Sequence, residues 1–96
     1  MAEVIYSKRA LADLERIAEF LDAEGPRIMR AAAEAVMEAV DLLARHPLLG
    51  REVEQGLREL VISRGKTGYL ALYDFIEEED VVLILALRHQ REIWGE

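Results

Sequence analysis

Val81-Val82-Leu83-Ile84-Leu85-Ala86-Leu87 is an almost unbroken apolar run with no polar face. It is far shorter than the roughly 20 residues that a membrane-spanning helix needs. A strand of this composition is buried on both sides, which places it in the interior of a sheet. Read at period two, Val81, Leu83, Leu85 and Leu87 fall on one side and Val82, Ile84 and Ala86 on the other. Just upstream, Glu77-Glu78-Glu79-Asp80 is a charged tip, and Tyr69 to Ile76 is a second stretch of aromatics and aliphatics. Gly65-Lys66-Thr67-Gly68 is a turn signal, and Leu57 to Arg64 is a third strand-like stretch around Leu60, Val61 and Ile62. Three strands with two tight connections predict an antiparallel meander.

The first half has a different period. Leu11, Leu14, Ile17, Ala18 and Leu21 recur at helical spacing, with Asp13, Glu15, Arg16, Glu19 and Asp22 on the other face. Ser7 is placed to cap this helix, whose end is set near Glu24 by Gly25-Pro26. Pro26 suits the first turn of a second helix, and so short a connection makes an αα-hairpin. That second helix runs to Arg45, where His46-Pro47 stops it. Its apolar arc is unusually wide: Ile28, Ala32, Ala35, Ala39 and Leu42 form one row, Met29, Ala33, Val36, Val40 and Leu43 another. One neighbour cannot bury such an arc. Residues 48–56 read as a loop, and Ala2 to Tyr6 as a short N-terminal strand.

The expected fold is therefore a single α+β domain over residues 1–96: an antiparallel sheet of about four strands with an αα-hairpin on one face. A domain this small buries only about 60–65% of the surface its unfolded chain exposes. With 52% apolar residues, some of that surface stays outside, and a contiguous exposed patch marks a protein interface. The helical hairpin covers one sheet face and leaves the other bare.

The net charge of −7 argues against direct DNA binding by this chain alone, since a free nucleic-acid binder needs a basic footprint. Absence of cysteine removes disulfides and thiolate metal sites. Two distant histidines and scattered carboxylates have no metal-ligand spacing, and no glycine-rich phosphate loop is present, so no cofactor is expected. With neither a signal-peptide pattern nor a membrane span, the expectation is a cytoplasmic protein.

The local words resemble those of the ParE/RelE superfamily of type II toxin–antitoxin toxins. Val4-Ile5-Tyr6-Ser7 with Ala10, Asp13-Leu14 and Ile17 resembles that family's opening V-x-Y/W-S-x-x-A-x-x-D-L-x-x-I. Leu43, Pro47 and Gly50 resemble its L-x-x-x-P-x-x-G, and Gly56-Leu57-Arg58 its G-L-R. Tyr69 and Tyr73 fall where Y-x-x-x-Y is found, and Ile84 to Arg91 resembles the closing I-x-x-V/I-x-H-x-R. The likeness covers essentially the whole chain and is nearer to the ParE branch, the plasmid-stabilisation proteins. It implies a toxin neutralised by a cognate antitoxin. For the ParE branch it implies a protein target such as DNA gyrase; for the RelE branch it implies ribosome-dependent cleavage of mRNA.

Each candidate residue has a plain alternative. His89 has a ring suited to proton transfer near neutral pH, or it simply hydrogen-bonds at the sheet edge. With Arg58, Arg64 and Arg91 it forms the set that a nuclease would use to hold and cleave a phosphodiester; arginines of this kind also pair with carboxylates. Tyr73, His89, Arg91 and Trp94 are the candidates for contact with a target, although Tyr73 also suits the core and Trp94 also suits an anchor. Leu11, Leu14, Met29, Val36, Met37 and Val40 are the candidates for contact with an antitoxin, because they belong to apolar arcs too wide for one small domain to cover.

Overall fold

The computed structural model describes residues 1–64 and 67–89. Strand β1 is Glu3–Tyr6, helix α1 Lys8–Glu24 and helix α2 Pro26–Arg45. Strands β2, β3, β4 and β5 are Arg51–Glu52, Arg58–Arg64, Thr67–Ile76 and Val81–His89. The punctuation read from the sequence is where the helices change. The Ser7 hydroxyl accepts the Ala10 N–H at 3.1 Å and caps α1. Gly25 closes α1 with φ +110°, a value that L side chains rarely adopt, and Pro26 opens α2. Pro47 lies just beyond the end of α2, and the His46 N–H still donates to the Leu42 carbonyl at 2.7 Å.

Among the described residues the sheet has five strands in the order β1-β5-β4-β3-β2, one more than expected. The extra strand is β2, a two-residue piece inside the stretch read as a loop, paired as Arg51 with Glu59 and Glu52 with Arg58. It is too short to show a period of two. The sheet is also mixed, because β1 runs parallel to β5, from Glu3 opposite Val81 to Tyr6 opposite Ile84. The helical hairpin between β1 and the meander supplies the crossover that a parallel pair requires. The meander β3-β4-β5 is antiparallel as expected, and β5 has neighbours on both sides. Gly68, read as part of a turn, pairs with Ser63 inside the ladder.

One feature of β5 departs from simple alternation. Leu72 pairs with Ala86 and Tyr73 with Ile84, leaving Leu85 as an extra residue in a β-bulge. The bulge reverses the phase of the strand. Leu87 therefore shares a face with Val82 and Ile84, whereas the regular pattern had put it with Val81 and Leu83. The helix-facing side carries Val4 and Tyr6 of β1, Leu60 and Ile62 of β3, and Tyr69, Ala71, Tyr73 and Phe75 of β4. Ala10, Leu21, Ala35, Ala39 and Leu43 close over this surface from the helices. The alanines let α2 approach the sheet closely. Among the described residues no helix covers the opposite face, where Ile5 is 41% and Val61 50% exposed.

Candidate functional site

α1 meets β5 through polar atoms as well as apolar ones. β1 stops at Tyr6, so among the described residues the edge of β5 beyond Ile84 has no strand beside it. Side chains of α1 take that place. The Ser7 hydroxyl donates to the Leu85 carbonyl at 3.1 Å, and the Asp13 carboxylate accepts the Leu87 N–H at 2.9 Å. Arg16 donates to the Leu87 carbonyl at 3.4 Å and lies 3.7 Å from the Asp13 carboxylate. These contacts hold the bulge in place and fix α1 across the C-terminal strand.

The two helices do not close on each other. Between them lies an open cleft of about 310 Å³, lined by Leu14, Ile17, Leu21, Met29, Val36 and Met37 and floored by Tyr69 and Leu87. A second groove runs on the other side of α2, beside β1, and is lined by Val4, Tyr6, Val36, Met37, Val40 and Asp41. Val36 and Met37 line both. Met37 stands on the ridge between them with 70% of its surface exposed, a thioether placed to adapt to a partner on either side. Five of the six residues named from sequence as antitoxin contacts thus converge on these grooves. The sixth, Leu11, is exposed on α1 and lines neither one.

The cations and aromatics of the sheet are arranged differently. Arg58 is turned onto the loop after α2, donating to the carbonyls of Gly50 at 2.9 Å and Leu48 at 3.3 Å, with Glu52 at 3.8 Å. Tyr73, opposite Arg58, is fully buried. Its hydroxyl donates to the Pro47 carbonyl at 2.8 Å and accepts the Gly50 N–H at 2.8 Å. Burial raises its pKa, opposed by the Gly50 hydrogen bond and by the Arg58 charge. Tyr73 and Arg58 therefore fasten a loop, and a target cannot reach the Tyr73 ring in this conformation. Gly50 allows the fastening, because a Cβ there would stand 2.7 Å from the Tyr73 ring and 2.9 Å from the Glu59 carbonyl.

His89 lies opposite Tyr69, its ring edge-on to the phenol with centroids 5.5 Å apart. Burial also raises the pKa of Tyr69. Tyr69 and Tyr73 are separated by four residues, or about 13 Å along the strand, so Arg58 and His89 act at opposite ends of β4. Arg64 closes the β3–β4 ladder opposite Thr67, at the His89 end. Arg91 and Trp94 lie outside the described residues. Among the described residues there is no group of three or more potential metal ligands and no helix long and apolar enough to cross a membrane.

A mixed sheet with a helical hairpin on one face, flanked by apolar grooves, defines a small α+β domain of the toxin type. The family model for the ParE toxin of type II toxin–antitoxin systems matches residues 4–94, and the chain belongs to that family. It is 33% identical to the toxin RelE3 of Caulobacter vibrioides, over 96% of this chain and 98% of that protein. It is 39% identical to the toxin RelE2 of the same organism, over 65% of this chain and 70% of that protein. Among solved structures, a chain of the RelBE2 toxin–antitoxin complex from Mycobacterium tuberculosis superposes with a TM-score of 0.65 at 27% identity, covering 95% of this chain and 93% of that one. A free-state variant of Escherichia coli RelE shares the fold, with a TM-score of 0.64 at 18% identity over 91% of this chain and 82% of that one.

Proposed function

We propose that this chain is the toxin of a type II pair, held inactive by direct contact with its cognate antitoxin along α2, and that when free it inhibits a protein target such as DNA gyrase in the cytoplasm. The observation that carries the antitoxin half is the pair of apolar grooves sharing Val36 and Met37. Two grooves on one helix take an amphipathic segment with apolar anchors on both flanks. The RelBE2 structure, a toxin–antitoxin complex in its own right, supports the same partner class.

The target half rests on charge and on Arg58. An acidic chain is poorly suited to hold a polyanion by itself, and Arg58 is committed to backbone carbonyls well away from His89. The test is growth arrest on expression without antitoxin, followed by supercoiling with purified gyrase. Loss of supercoiling at micromolar toxin is the expected result, and unimpaired supercoiling removes gyrase as the target.

A second reading is ribosome-dependent cleavage of mRNA. The names RelE3 and RelE2 of the relatives favour it, with His89, Arg64 and Arg91 as its residues. Cleavage on translating ribosomes that disappears with His89→Ala would establish it, and an intact transcript with wild-type toxin would end it.

A further inference from the structure

The sheet face turned away from the helices is apolar where water favours polar residues. A sheet with one solvated face ordinarily carries polar side chains on that side. The pairing across the strands gives the composition of this face row by row. Nearest the β4–β5 connection, Glu3, Val81 and Ile76 lie side by side, and the next row is Ile5, Leu83 and Asp74. Past the bulge come Ala86, Leu72 and Glu59, then Arg88, Leu70 and Val61. Ile5 is 41% and Val61 50% exposed, and Leu70, Leu72, Ile76 and Leu83 are half-buried. Both grooves beside α2 open on the other side of the sheet, since Val4, Tyr6, Tyr69 and Leu87 line them. A segment seated in those grooves leaves this face bare, and a contiguous apolar patch on a small domain marks an interface.

The charges on the face are unevenly spread. Glu3 and Asp74 stand in the rows nearest the connection. The connection itself is Glu77-Glu78-Glu79-Asp80, exposed throughout. Among the described residues none of these carboxylates is in an ion pair. Farther along the strands, Glu59 is matched by Arg51 at 3.1 Å, and Arg88 occupies the last row. The face is therefore an apolar surface with one strongly negative end.

We propose that this bare face is where the toxin holds the protein it inhibits, and that it takes a basic amphipathic segment. Apolar residues of that segment would cover Ile5, Leu72, Leu83 and Val61, while its Lys or Arg residues meet Asp74, Glu3 and the acidic connection. The inference rests on the reading of a protein target above and gives that target its surface. Charge decides among the occupants. A second copy of this chain brings −7 to −7, and RNA brings phosphates, so both are repelled from the negative end. A basic segment is drawn to it. The apolar rows then supply the burial that exposed ion pairs alone do not.

The experiment compares wild-type toxin with Asp74→Lys, Asp74→Asn and Val61→Lys. Circular dichroism and titration with the purified antitoxin check that each variant is folded. The readouts are growth arrest on expression without antitoxin and inhibition of supercoiling by purified gyrase. Asp74→Lys should raise the toxin concentration needed for inhibition at least about tenfold and relieve arrest, because it sets like charges against each other. Asp74→Asn removes the charge at nearly constant shape and should cost about threefold. Val61→Lys should relieve arrest by placing an ammonium group in the apolar contact. Antitoxin affinity should stay unchanged in all three. The sign at Asp74 separates the partner classes: arrest by Asp74→Lys as complete as that of the wild type, or stronger, points to a polyanion and overturns the proposal. Where Val61→Lys fails to fold, Asp74→Asn decides in its place, and unchanged inhibition overturns the proposal. A folded variant that loses its antitoxin affinity assigns the face to the antitoxin, and a free dimer that Val61→Lys converts to monomer assigns it to a second copy; either result also overturns it. Wild-type toxin that arrests growth but leaves supercoiling unimpaired removes gyrase alone. The growth comparison then judges the face, with relief of arrest by Asp74→Lys supporting it and undiminished arrest overturning it.

Discussion

Replacing Tyr73 by phenylalanine removes one oxygen and isolates two backbone groups. In the wild type that oxygen donates to the Pro47 carbonyl and accepts the Gly50 N–H, both at 2.8 Å. The ring is fully buried and Gly50 is buried as well, so water does not readily replace the hydroxyl. An orphaned buried backbone group costs about 1–3 kcal/mol. The Pro47 carbonyl is only partly buried, which puts the sum at roughly 2–4 kcal/mol. A domain of this size holds about 5–15 kcal/mol in all, so Tyr73→Phe should bring the chain close to its unfolding threshold. Urea unfolding followed by circular dichroism measures the difference. The unfolding slope should stay constant while the midpoint falls. Gly50→Ala attacks the same contact from the other side, by forcing a methyl group against the Tyr73 ring. The two substitutions should be strongly non-additive in a double-mutant cycle. A loss below about 0.5 kcal/mol for Tyr73→Phe, or simple additivity with Gly50→Ala, would refute the claim that this hydroxyl fastens the loop after α2.

Three further outcomes follow from the same contacts. Asp13→Ala leaves the Leu87 N–H without its acceptor and should cost about 1–3 kcal/mol in urea unfolding, whereas Asp41→Ala, whose ion pair with Arg45 is exposed, should cost under about 1 kcal/mol. Gly25→Ala meets nothing within 4 Å, so its cost is that of the positive φ with extended ψ alone, about 1–3 kcal/mol, and should be smaller than that of Gly50→Ala. Tyr6, Tyr69 and Tyr73 all have pKa values raised above the ordinary 10.0 by burial. A raised folded value means that the unfolded chain loses its phenolic protons first, so stability is level below about pH 10 and falls as pH rises from there through the folded values. Tyrosinate absorbance should therefore appear together with loss of helical ellipticity. A tyrosinate signal that saturates near pH 10 with the fold intact would contradict the burial.

The parts of this fold that were legible in sequence are those with a local cause. Ser7, Gly25-Pro26 and His46-Pro47 each act within a turn of their own position, and they set both helices. The unpolar Val81–Leu87 run placed β5 inside the sheet with a strand on each side, but burial on both faces did not follow: Val81, Leu83 and Leu85, on the face no helix covers, are only half-buried. What escaped has no local signal. The parallel pairing of β1 with β5 joins residues 78 apart, as Glu3 with Val81. The bulge at Leu85 is held by Ser7, which is equally remote, and it reverses the face on which Leu87 falls. Arg58 illustrates the limit for function. As a letter in G-L-R it is a cation available for a phosphate, but its hydrogen bonds to Leu48 and Gly50 appear only once α2 and β3 are brought together. The excess apolar arc of α2 was readable as more apolar surface than one neighbour can cover; that the uncovered part divides into two grooves about Met37 was not, because the division depends on where β1 and α1 lie.

The proposed antitoxin contact lies along α2 at Met37, away from His89 and the sheet residues proposed to act on a target. Fully burying such a side chain is worth roughly 1.5–3 kcal/mol, and a carboxylate in its place would have to be desolvated as well. The decisive measurement is growth of cells expressing Met37→Asp toxin, with and without its antitoxin. The account predicts arrest as complete as that of the wild type and little or no rescue by the antitoxin; full rescue of the Met37→Asp toxin, or loss of arrest in a variant that remains folded, would contradict it.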